Sequence, residues 1–170
     1  MTTKTMFRRG ALVGLAVSTL LSVPLAQAHH GRGAYDTDRP LYLEGTVARV
    51  EWRNPHPEIV LEVASPAPAT DPSKVPMPSE LEQLGFREVL ARAQPAAPGR
   101  YTLDLAPIGR LQEWGMSAPP RQGERLIAVA FPSCSEPGTV RAVVVVLPSG
   151  TSVRQQSVRL PKGCSGAARG

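Results

Sequence analysis

Apolar and polar positions alternate from Leu41 to Trp52 (LYLEGTVARVEW) and again from Glu58 to Val63 (EIVLEV), the period of two that predicts half-buried strands. In the first run Leu41, Leu43, Val47 and Val50 mark the apolar side, with a slip of phase that a glycine bulge at Gly45 would produce. Asn54-Pro55-His56-Pro57 between the runs predicts a turn, because each proline removes a ladder donor and restricts the residue before it. Arg100 to Leu105 predicts a third strand. Pro107 opens a short helix (IGRLQEWGM) that ends near Gly115. A fourth strand is expected over Glu124 to Pro132 and a fifth over Thr139 to Leu147 (TVRAVVVVL), the latter so apolar that both of its faces should be buried. Pro148-Ser149-Gly150 then turns the chain into a short strand at Thr151 to Arg154.

The segment 64–99 interrupts this order. Its first part, Ala64 to Ser79, is rich in Pro, Ala and Ser and predicts an exposed excursion. Ser79 and Glu82 fit a capping box ahead of one short helix, in which Leu81, Leu84, Val89 and Phe86 lie on or near one face. Three strands, a short helix, then two or three strands is the order of an OB-like Greek-key barrel of five to six strands, all-β with small helical content and a short helix between strands 3 and 4. A small β-sandwich is the competing architecture.

The amino-terminal stretch changes the picture of composition. Lys4, Arg8 and Arg9 precede an apolar run, Ala11 to Val23, and Ala26-Gln27-Ala28 offers a small-x-small cleavage pattern. Residues 1–28 are therefore expected to be a signal peptide, the run being shorter than the ~20 residues of a membrane span. The expected organisation is this signal, one barrel domain over 29–160 carrying the 64–99 insertion, and a Gly/Ser-rich tail at 161–170. Three Lys+Arg and no acidic residue leave with the signal, so 16 Lys+Arg face 14 Asp+Glu and the net charge falls from +5 to +2. That removes most of the case for a nucleic-acid footprint. A periplasmic or secreted monomer with no membrane span after cleavage is expected. Its partner would be an envelope component or a small ligand.

Cys134 and Cys164 make an even pair in a chain expected to be exported, and a disulfide between them is the better reading than metal ligation. Their Cα atoms should then lie within ~7 Å of one another. All three histidines, His29, His30 and His56, fall close to the expected new terminus. A terminal His29 can chelate Cu(II) through its amine and Nδ1, with His56 opposite, His30 as an alternative ligand, and Asp36 or Asp38 adding oxygen. A solvated histidine pair and a His56 that only shapes its turn are the plainer alternative. Trp52 and Trp114 end the first strand and the short helix. Such aromatics seal a barrel or stack a ligand on its open face, with Arg49, Arg53 and Arg110 available to an anion. No hydrolase elbow, Walker loop or dinucleotide fingerprint is present, and an enzyme is not expected.

His29-His30-Gly31, Ala34-Tyr35-Asp36, Gly45-Thr46-Val47 and Glu51-Trp52-Arg53-Asn54-Pro55-His56 together resemble a bacterial family of small exported proteins of unknown function. Chains of that family open His-His-Ser and carry Gly-Thr-Val followed by Glu-Trp-Thr-Asn-Pro-His. Tyr101 to Met116 and Gly123 to Gly150 are similar to its later segments, outside the insertion and the cysteine-bearing additions. Gly31, Arg53 and the order Trp114-Gly115 depart from the pattern. The resemblance implies export and fold, and carries no activity.

Overall fold

The computed structural model describes residues 35–64, 71–160 and 163–164. The expected signal, His29, His30 and the end of the tail lie outside the described residues. Among the described residues seven strands form one sheet: β1 (Leu41–Glu51), β2 (Glu58–Val63), β3 (Gln94–Pro95), β4 (Gly99–Asp104), β5 (Arg125–Pro132), β6 (Thr139–Val146) and β7 (Ser152–Arg154). Five of them close on themselves in the order β1-β2-β4-β6-β5 and back to β1, antiparallel throughout except for the parallel pair β4–β6. This is the OB-like barrel, with helix α3 (Ile108–Glu113) between its third and fourth strands. Closure depends on two strands that divide their pairing. β1 gives Leu41–Tyr42 to β3 and Thr46–Glu51 to β2, while β6 gives Thr139–Arg141 to β4 and Val144–Val146 to β7.

The phase slip in β1 is real but lies further along the strand. The register against β2 shifts between Val47 and Arg49, so Ala48 is the bulged residue and Val50 returns to the inner side. Gly45 meets a different demand. A Cβ there would stand 2.6 Å from the Glu62 carbonyl oxygen, because β2 backbone crosses β1 at that point.

The insertion is a second layer. α1 and α2 (Ser79–Gln83 and Phe86–Arg92) are two helices where one was expected, broken at Gly85, which takes φ +79. The capping box does not form. Pro78 holds the N-cap position and accepts the amides of Leu81 and Glu82 through its carbonyl, leaving Ser79 to bond Glu80. The buried helical side chains are Leu81, Phe86 and Leu90, with Leu84 and Val89 only half-buried. They cover the outer face of the barrel with Val75, which is buried although it sits in the stretch expected to be an exposed excursion.

This explains β6. Val140, Ala142 and Val145 face the barrel interior while Val143, Val144 and Val146 face the helical layer, the extra residue Val143 switching the phase. Both faces of that strand are buried, as its apolar run predicts.

Gly45→Ala should cost about 1–3 kcal/mol, because the new methyl meets ladder-paired backbone rather than a side chain that can turn away. Urea unfolding should show a lower midpoint with an unchanged slope. An unchanged midpoint would mean that β1 and β2 separate at this crossing without cost.

Candidate functional site

Where β4 ends, four separate stretches of chain meet at one carboxylate. Asp104 is the last residue of β4 and is only 8% exposed. Its Oδ2 accepts the Tyr35 hydroxyl at 2.8 Å and Arg141 Nη1 at 2.6 Å. Parallel pairing places Arg141 of β6 directly opposite Asp104, so the ion pair follows from the register of the barrel. Tyr35 comes from the segment before β1, held to the β5–β6 loop by a bridge to Ser133 and by the Asp36 amide donating to the Pro132 carbonyl. His56 comes from the β1–β2 turn, where the Asn54–Pro55 bond is cis. Its Nδ1 stands 3.4 Å from Asp104 Oδ1 and 3.4 Å from Arg141 Nη1.

Asp104 Oδ1 is covered and accepts no hydrogen bond among the described residues. The contact with His56 is close enough for charge attraction when the ring is protonated, without hydrogen-bond geometry. His56 is the adjustable neighbour, its side chain 30% exposed against 11% for Asp104.

These residues wall a cavity of about 320 Å³. α3 contributes Arg110, and Trp114 follows at its C-cap. Gln155, Gln156, Ser157 and Val158 of the chain after β7 form the opposite wall. That wall is fixed by buried amides: Gln155 accepts the Ala106 amide at 3.1 Å, and Gln156 donates to the Ala142 carbonyl at 2.7 Å. The stretch is tied further on by the Cys134–Cys164 disulfide, whose Cα atoms are 5.7 Å apart, within the expected limit. Beside it the Gly163 amide donates to Thr37. Arg154 stacks over the Trp114 ring, 4.7 Å from its centroid, and borders the neighbouring hollow rather than this one.

Two sequence-predicted site residues, His56 and Trp114, share this cavity, and Arg110 joins them. Trp52 does not line it. It packs half-buried against the barrel core, which is the sealing role. Arg49 and Arg53 both pair with Glu51. Asp36 is spent on its own turn, its oxygens accepting the Asp38 amide and the Arg39 guanidinium. No group of three or more His, Cys, Asp or Glu suited to a metal ion occurs among the described residues. His29 and His30 lie outside them. Tyr35, Asp104 and Arg141 were not singled out as site residues from the sequence. The signal that marks Asp104 and Arg141 is a lone charge inside each of two apolar runs, YTLDLAP and TVRAVVVV.

A family model described as a family of unknown function (DUF6152) matches residues 17–84, less than half of the chain. The span contains the Gly45-Thr46-Val47 and Glu51–His56 stretches and ends before α3. No curated protein and no solved structure matches the chain. No helix among the described residues is long and apolar enough to cross a membrane.

Burial first, and the adjacent Asp104 carboxylate second, raise the Tyr35 hydroxyl pKa well above its ordinary value near 10. The folded state thus favours the neutral phenol. Its contribution to stability is complete below about pH 10 and is lost as pH rises beyond that, where the unfolded chain ionises first. Alkaline unfolding measured between pH 9 and 11.5 should be steeper for the native chain than for Tyr35→Phe. Equal slopes would show that the Tyr35–Asp104 contact does not hold in solution.

Proposed function

We propose that this chain is an exported binding module that holds a small polar molecule in the cavity between the β1–β2 turn, α3 and the chain after β7. The observation that carries the reading is a walled hollow in which charged, polar and aromatic side chains converge: Asp104, Arg141, His56, Arg110 and Trp114. Its volume sits at the lower end of the ~300–1,000 Å³ range of small-molecule pockets, so one ring or its equivalent fills it. Charged groups to orient a ligand and an aromatic face to pack against it are what binding requires, and binding is the proposed activity. Export is supported by the charged, apolar and small-x-small order of residues 4–28 and by the intrachain disulfide, a bond that persists in oxidising compartments.

A second reading, Cu(II) held between His29 and His56, is favoured by the tether at Tyr35. Five residues lie between His29 and Tyr35, so the six steps of chain reach at most ~22 Å when extended. Tyr35 itself bonds the carboxylate beside His56. The Arg141 guanidinium 3.4 Å from His56 Nδ1 opposes a cation on that nitrogen, which leaves Nε2 for this reading and makes the cavity reading the stronger one.

One preparation separates them. Protein recovered from the envelope, with its terminus fixed by intact mass, would be denatured and its contents identified by mass spectrometry and metal analysis. An organic molecule in stoichiometric amount, absent from Trp114→Ala, supports the cavity. Stoichiometric copper, lost when a residue is added before His29, would replace that reading with the second. Recovery from the cytoplasm with residues 1–28 intact would contradict export.

A further inference from the structure

The charges on the cavity wall do not cancel. Asp104 is the one acid among the described lining residues, and its Oδ2 is already shared by Tyr35 and Arg141. Against it stand Arg141 and Arg110, so the described lining residues carry a formal surplus of one positive charge with His56 counted neutral. Arg110 is the adjustable member. Its only described ion pair is with Glu113 one helical turn on, both side chains 62% exposed, and exposed pairs of that kind contribute little. Trading Glu113 for a ligand anion therefore costs little. Arg141 is held in place by Asp104 through Nη1, which leaves the rest of its guanidinium fork available to an acceptor.

Trp114 argues against a cationic ligand. An indole attracts a cation through the electron density of its ring face, and Arg154 already occupies that interaction at 4.7 Å. A second cation on the ring would be repelled by the first. A flat apolar body carries no such penalty and gains the contact area that the indole offers.

We infer that the cavity takes a small organic anion, a carboxylate on a flat apolar body, with the carboxylate between Arg110 and Arg141 and the body against Trp114. This rests on the ligand-binding reading above and names its ligand class. Surface attraction for any anion would also give weak binding, but it would not depend on Trp114 and would vanish in salt.

Benzoate and benzamide separate these contributions, since they share a flat body and differ in charge. Their affinities for the purified protein would be measured by NMR titration at physiological ionic strength. Benzoate should bind at least about tenfold more tightly than benzamide, a difference of ~1.4 kcal/mol. Arg110→Gln should remove most of that preference while leaving benzamide binding in place, and Trp114→Ala should weaken both. Thermal melts of each variant would confirm folding. Equal affinity of the two probes, with shifts mapping to Trp114 and His56, would overturn the anion assignment and leave the ligand-binding reading standing. No binding of either probe, or benzoate binding indifferent to both substitutions, would overturn the assignment and count against the cavity itself.

Discussion

A carboxylate buried at the end of β4 has to be neutralised where it lies, and Asp104 draws three remote pieces of chain to itself for that purpose. A charge taken out of water without a partner costs several kcal/mol, so its position constrains everything near it. β6 must be in parallel register with β4 for Arg141 to reach it, the segment before β1 must lie across the β5–β6 loop for Tyr35 to reach it, and the β1–β2 turn brings His56 alongside. The cavity is the space these commitments leave between them and the wall of Gln155 to Val158. The place of the site thus follows from one electrostatic requirement.

The second constraint is hydrophobic and acts on β6. A strand with Val143, Val144 and Val145 all fully buried needs apolar cover on both sides, and a five-stranded barrel supplies only the inner one. The helices α1 and α2, with Val75 ahead of them, supply the outer cover. Each buried Leu or Phe there contributes on the order of 1.5–3 kcal/mol, which is ample reason for an insertion that looks like a loop decoration to be retained as structure. Leu160 of the chain after β7 packs at the margin of the same layer, and the Cys134–Cys164 bridge lies a few residues on.

The barrel was legible in the sequence because its signals are local. Alternation in Leu41–Trp52 and Glu58–Val63, the Pro107 helix start and the Gly115 stop each act over a few residues, and the order of elements is then restrictive. Cys134 and Cys164 were legible by parity. What the sequence concealed is what depends on distant partners. The two-residue strand β3 exists only because β1 has an edge to lend it, and Gly45 is small only because Glu62 crosses it. Ser79 loses its capping role to Pro78, one residue earlier. Of the site, His56 and Trp114 were identifiable as chemistry-bearing residues beside turns. Their meeting point was not, since Asp104 and Arg141 are 37 residues apart and paired only by barrel closure. A lone charge inside an apolar run is the trace such a pair leaves, and here both runs carry one.

Arg141 is required because the Asp104 carboxylate is buried, and a double-mutant cycle tests that dependence most directly. Arg141→Met should destabilise the fold by on the order of 2–3 kcal/mol, somewhat below the full cost of orphaning a buried charge because Arg141 keeps some contact with water. Adding Asp104→Leu to that variant should restore part of the loss, since the stranded carboxylate is then gone. A double variant more stable than Arg141→Met alone, by chemical denaturation at neutral pH, is the result predicted. Losses that simply add, within about 0.5 kcal/mol, would contradict the account and reduce the pair to two independent side chains.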